Sequence, residues 1–203
     1  MILLPNEFDA NNVVFLPPKQ NKQGGKSVLM NYKVNDKSVP YHLQTCRVRL
    51  PFGIDQNKQE NGGIKYHVSF SLANDSTENE QLKIFTNNIR GVDEMAKQFP
   101  QNNESWFDKK LKPEIVEEFY KSAEKFPKDP KWPSTLKAKL PFDRKGLPQF
   151  TLYDEHRKPI ELLDGDGNLN LDCIPKGSEA VFLLQPTGVW FVGKTQYGVA
   201  YKV

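Results

Sequence analysis

The chain has 203 residues, 37% of them hydrophobic, with a mean hydropathy of −0.64. That suits one domain with a real core and leaves no apolar run of membrane-spanning length. Twenty-eight Lys and Arg against 25 Asp and Glu give a net charge of +3, a mildly basic balance that admits a polyanionic partner and excludes a histone-like tail.

In chain order, residues 12–16 read as a short apolar strand closed by Pro17-Pro18, and 20–25 as a turn-forming loop. Residues 26–34 alternate apolar and polar positions, with Leu29 the exception, and predict a half-buried strand. A second covers 41–50, ended by Pro51-Phe52-Gly53, and a third 65–72, with Tyr66, Val68 and Phe70 on one face. The period then changes. Leu82, Phe85, Ile89, Val92, Ala96 and Phe99 recur at three- and four-residue intervals and predict a helix over 76–99. Its N-cap lies within Ser76-Thr77-Glu78-Asn79, Gly91 is a potential break, and Pro100 is its stop. Pro113 opens a second helix to about residue 125, with Trp106 and Phe107 buried between the two.

Residues 126–134 form a Pro-rich crossing. Residues 135–140 predict a strand with Leu136, Ala138 and Leu140 on one side and Lys137 and Lys139 on the other. Residues 149–153 read as its hairpin partner across Arg144 and Lys145, and 163–171 as an Asp/Gly/Asn loop. From Ala180 to the end, three short strands are expected, separated at Pro186-Thr187-Gly188 and Gly193-Lys194. No internal repeat is legible. Fifteen Pro and thirteen Gly fit this turn-rich plan. The economical assembly is a β-rich (α+β) single domain over 1–203, an OB-like antiparallel barrel with a helical insertion at about 76–125.

The residues offer little for catalysis. His42, His67 and His156 are scattered, and Cys46 and Cys173 lack metal-ligand spacing, so no metal or cofactor is expected and both thiols are expected to be reduced. Asp164-Gly165-Asp166-Gly167-Asn168 opens like a calcium loop, but Leu169 and Pro175 stand where its Gly and Glu belong. Gly24-Gly25-Lys26-Ser27 resembles the end of a phosphate loop without the leading Gly. No nucleophile elbow is present, and the chain reads as a non-enzyme. Met1-Ile2-Leu3-Leu4-Pro5 lacks the basic start of a signal peptide, so an intracellular protein is expected.

What remains is a set of cations and rings. Lys and Arg outnumber Asp and Glu by seven to three over residues 1–50 and by twelve to eight over 97–145. Arg47 and Arg49 share one strand face, as do Lys137 and Lys139, since side chains two apart point the same way. Neither pair has an acidic residue two positions away. Bases stack on rings and phosphates pair with cations. The candidate contacts are therefore Lys26, Arg47, Arg49, Lys137, Lys139, Arg144, Lys145, Lys194 and Lys202 for phosphates, and Phe52, Tyr66, Trp190 and Tyr197 for bases. The plain alternative is that the cations are solvated faces and the rings are core.

Several short segments together resemble an uncharacterised protein family of giant (nucleocytoplasmic large) DNA viruses of algae and protists. They include Leu43-Gln44-Thr45, Ser105-Trp106-Phe107, Leu136-Lys137-Ala138-Lys139-Leu140-Pro141, Ile174-Pro175-Lys176-Gly177-Ser178 and Gly188-Val189-Trp190-Phe191. The closing section is more remotely similar to the African swine fever virus single-stranded-DNA-binding protein. The resemblance implies an OB-type barrel that covers single strands in viral DNA replication, recombination or repair. It places the protein in a viral replication compartment of the host cytoplasm or nucleus, or in the virion. Cys46 departs from the relatives' Pro, and no acidic tail like that of phage single-stranded-DNA-binding proteins precedes Val203. The expected partner is single-stranded DNA, or RNA, with no membrane; the helices cover the barrel or offer a homo-oligomer face. The alternative is a structural or virion-associated interaction protein on the same β domain.

Overall fold

Residues 1–20, 24–60 and 62–203 are described in the computed structural model; part of the 20–25 loop lies outside them. About 35% of the chain is strand and 18% helix. The N-terminal third holds β1 (Ile2–Leu3), β2 (Val13–Phe15), β3 (Lys19–Gln20), β4 (Lys26–Val28), β5 (Met30–Val34), β6 (Lys37–Val39), β7 (His42–Gln44) and β8 (Val48–Arg49). The middle holds β9 (Ile54–Lys58), β10 (Ile64–Ser71), α1 (Glu80–Asn102), α2 (Pro113–Phe119), β11 (Glu124–Lys125) and β12 (Thr135–Leu140). The chain closes with β13 (Glu179–Ala180), β14 (Leu183–Val192) and β15 (Gln196–Lys202).

The main sheet runs β1-β7-β14-β15-β12-β10-β9, with β4 also on β14, β3 on β4 and β11 on β12. It is not closed into a barrel: the path ends at β1 and β9. The β-rich character and the helices between strands are as expected; the closure is not. A further departure lies at Leu29, the exception to the alternation. There the predicted 26–34 strand divides. Its first half pairs with β14 and its second half with β2 and β6 in a separate three-stranded sheet. Leu29 itself is exposed.

One face of the main sheet carries Val68, Phe70, Leu136, Ala138, Leu140, Val189, Val199 and Tyr201, all buried. Helix α1 covers it with Phe85, Ile89, Val92 and Ala96, and Phe70 and Phe85 have ring centroids 6.1 Å apart. Asn79 is the N-cap and accepts from the Leu82 N–H. The helix passes Gly91 unbroken and runs through Pro100 to Asn102. A proline in the last turn removes only one intrahelical donor, so it did not act as the expected stop. Helix α2 ends at Phe119, six residues short of expectation, because residues 120–125 pair with strands instead.

Two further expectations are corrected. Beyond Ala180, where β13 ends, the closing stretch has two strands, not three. Pro186-Thr187-Gly188 is a bulge inside β14, since Gly188 at φ +111° lies so close to Val28 that a Cβ would sit 2.1 Å from its carbonyl oxygen. Residues 141–170 hold no regular strand but do hold a repeat. Asp143, Asp154 and Asp164 each open a tight turn closed by the bridges Phe142–Pro148, Tyr153–Pro159 and Leu163–Leu169. In all three, Oδ1 accepts from the N–H groups two and four residues on. The residue three on has positive φ (Gly146, Arg157, Gly167). An Asp side chain that copies a backbone turn needs little else from the sequence, which is why the repeat is hard to see there.

Candidate nucleic-acid interface

The uncovered face of the main sheet is where the cations gather. On β10 and β12 the register pairs His67 with Lys139 and Ser69 with Lys137, and directly paired residues share a face. Lys65 lies two residues from His67 on that face. Strands β12 and β15 pair only at Ala138–Tyr201 and Lys139–Lys202 and then diverge. Residues 120–125 cross the gap. Tyr120 bridges Tyr197, the Lys121 N–H donates to the Tyr197 carbonyl at 2.8 Å, and Glu124–Lys125 pair with β12.

This junction forms a groove of about 340 Å³, lined by Lys65, His67, Lys121, Lys125, Lys137, Lys139 and Trp190, together with Ser122, Ala123, Thr187 and the β15 residues Val199, Ala200 and Tyr201. Among the described residues no carboxylate lines it. Lys121 and Lys125 donate to the carbonyls of Glu118 and Ser122 at 2.9 and 2.6 Å, and none of the five lysines is in an ion pair among the described residues. Trp190 lies across Gly198, where a Cβ would sit 2.9 Å from the indole and 2.3 Å from the Lys121 carbonyl; only glycine fits both neighbours.

Helix α1 holds the crossing segment from behind. Buried Asp93 accepts from Tyr120 Oη at 2.6 Å, Ser122 Oγ at 2.5 Å and the Ala123 N–H at 3.2 Å. Arg90 donates twice to Glu124, at 2.9 and 2.8 Å, and Ser134 Oγ donates to the same carboxylate. Burial pushes the Asp93 carboxyl up, and its three donors and Lys97 pull it only part of the way back. Burial also works to raise Glu124, but the Arg90 and Ser134 hydrogen bonds and the guanidinium charge outweigh it and hold Glu124 below the ordinary carboxylate range. With these contacts between them, Lys121 and Lys125 are set on the groove wall.

His67 is lowered by burial first and then by Lys137, while Asp55 across the strand pulls the other way and Lys139 and Lys65 add to the lowering. It is therefore neutral near pH 7. Its Nδ1 is buried and has no hydrogen-bond partner among the described residues.

Of the sequence candidates, the groove takes Lys137, Lys139 and Trp190. Lys202 stands beside Lys139 in register and faces a second, larger cleft of about 860 Å³ that also includes Arg47. That cleft has Glu155 and Glu179 on its walls. Arg47 lies 3.8 Å from Glu179, and Arg49 is opposite Glu179 in register, so the arginine ladder has its acidic partner on another strand. Lys26 is half-buried and engaged elsewhere, donating to the carbonyls of Ser105 and Trp106 at 3.2 and 2.5 Å and lying 5.5 Å from the Phe191 ring centroid. Tyr197 is fully buried among Trp106, Phe107, Tyr120 and Phe191, so its ring is core and is not a surface platform. Tyr66 packs on Phe142 at 4.9 Å. Phe52, Arg144, Lys145 and Lys194 are exposed and lie outside the groove.

Sequence reasoning missed Lys65, His67, Lys121 and Lys125. Lys65 and His67 alternate with the apolar face of a strand that was recognised, which is a usable signal. Lys121 and Lys125 sat inside a predicted helix, where nothing marks them. Among the described residues no group of three or more His, Cys, Asp or Glu is placed to hold a metal, and Asp164 Oδ1 is taken up by its own turn. Cys46 and Cys173 are unbonded. Among the described residues no helix is long and apolar enough to cross a membrane. No protein-family model matches the chain, and no curated protein does.

Proposed function

We propose that the protein binds single-stranded DNA without base preference and without catalysis. The observation that carries this reading is the groove itself: five lysines and one half-buried indole, with no lining carboxylate among the described residues. Closely spaced ammonium groups suit a phosphate backbone, and each phosphate neutralised releases a counterion, so affinity falls steeply with salt. An indole at the groove wall offers a face to a base of any identity. RNA presents the same phosphates and is the nearest alternative ligand. The finer architecture belongs to the same proposal: an open, OB-like arrangement, supported by strands flanking a helical excursion and not by closure. A role in viral DNA replication, recombination or repair rests on the family resemblance alone.

The test is fluorescence anisotropy with oligo-dT at two salt concentrations. Micromolar or tighter binding that weakens steeply with salt supports the proposal; no binding at low salt overturns it. The second reading, an interaction protein that packs against other chains, is favoured by the larger cleft, where Tyr153, Val181 and Leu183 are exposed beside charges of both signs.

A further inference from the structure

The chain puts most of its aromatic bulk inside, with Trp106 and Tyr197 among its largest fully buried side chains. Phe126 and Trp132 are the opposite case. At 73% and 62% exposure, they are the two most exposed large hydrophobic side chains among the described residues. Both lie on the nine-residue loop 126–134 that joins β11 to β12. The loop is closed by the pairs Lys125–Thr135 and Glu124–Leu136. Lys125, which lines the lysine groove, directly precedes Phe126, and Lys137, which also lines it, follows the loop's end by three residues. The loop therefore begins and ends beside groove-lining residues.

The loop is also held in shape. Pro127, Pro130 and Pro133 restrict its backbone. Asp129 Oδ1 accepts from the Lys131 N–H at 3.1 Å, its carbonyl accepts from the Trp132 N–H at 3.2 Å, and Lys131 Nζ lies 2.9 Å from its Oδ2. The same ammonium stands 5.4 Å from the Trp132 ring centroid. Rings presented on a pre-shaped loop lose little conformational freedom when they bind, and Lys128 and Lys131 add positive charge beside them. A flat, base-tolerant surface next to a phosphate track suits an unpaired strand, whose bases are free to turn outward; a duplex keeps its bases stacked inside.

We propose that the 126–134 loop is a second nucleic-acid contact, in which Phe126 and Trp132 stack bases of the strand whose phosphates lie in the lysine groove. This rests on the single-strand reading above and adds to it where the bases go. The experiment compares oligo-dT with an abasic deoxyribose-phosphate oligomer of equal length, by anisotropy across a salt series. In F126A/W132A the Kd for oligo-dT rises about 30-fold, the loss of two stacks at the low end of their usual range. Its affinity for the abasic oligomer and its salt slope stay those of the wild type, because the phosphate contacts are intact. F126W/W132F keeps the rings and the affinity. K137A/K139A, in contrast, weakens both probes and flattens the slope. If the wild type binds oligo-dT, K137A/K139A weakens it and F126A/W132A does not, the loop's role is overturned and the groove stands. Equal losses of F126A/W132A on both probes also overturn it, since the rings then act on something other than bases. A wild type that binds neither probe overturns the groove reading and the loop's role together.

Discussion

Two segments of this molecule carry the same local pattern, a pair of cations two residues apart, and end in opposite electrostatic settings; Lys137 and Lys139 both lie on β12, whereas Arg47 precedes β8 and Arg49 lies on it. Lys137 and Lys139 on β12 face Ser69 and His67 across the ladder. Among the described residues neither is in an ion pair, the nearest carboxylate in register being Asp55 beyond His67, and the crossing segment adds Lys121 and Lys125 to the same groove. Arg47 and Arg49 meet Glu179 from β13, at 3.8 Å and in register. One pair builds an open positive track, and the other shares a single carboxylate that offsets part of its charge. A basic ladder is therefore a statement about one strand only; its function depends on the strand beside it.

The sharpest way to break this comparison is to reverse each pair. K137E/K139E should lower affinity for oligo-dT by about 100-fold or more, given the steep dependence on phosphate contacts, while R47E/R49E leaves it near wild type. Equal losses from the two variants would erase the distinction. Next in size is the clamp behind the groove. Glu124→Ala removes the charged acceptor of Arg90 and Ser134 and should destabilise the fold by about 2–3 kcal/mol, read as a lower urea midpoint. The same carboxylate predicts a pH limb. Its folded pKa is lowered, so its contribution is present above the unfolded value of about 4.3. It is lost as pH falls through the folded value. Glu124→Gln should lack that limb when midpoints are compared from acid to neutral pH. Asp93, raised by burial, acts with the opposite sign: its contribution is present below its unfolded value and is lost as pH rises.

Smaller effects sharpen the groove itself. Trp190→Ala should cost about 1–2 kcal/mol of binding, within the range for one stacked base, and Trp190→Phe much less, both read as Kd. The smallest is a proton. Phosphates beside His67 favour its charged form and work against the burial and lysines that lower it. Oligo-dT binding should therefore tighten a few-fold as pH falls through the acid side of the ordinary histidine range, and His67→Ala should bind with no such trend.

Much of the local structure was legible. The alternation of Leu136, Ala138 and Leu140 against Lys137 and Lys139 named both faces of β12, and burial follows it residue by residue. The spacing of Phe85, Ile89, Val92 and Ala96 named the buried face of α1. Tyr120 and Ala123 misled, because they continue a helical period by coincidence while the backbone around them is extended. Tyr197 misled for a related reason: a ring next to glycines and cations looks alike in sequence whether it faces solvent or the interior.

Periodicity carries strands, helices and the faces they bury because those depend on neighbours within a few residues along the chain. It holds no information about which strands meet, so it could not say that β12 and β15 would splay, that residues 120–125 would enter the gap, or that Arg90 and Asp93 would hold them there. Those outcomes rest on hydrogen bonds and buried charge between segments about 30 residues or more apart. The groove is made of such contacts, which is why its lysines could be seen singly in the sequence but their meeting place could not.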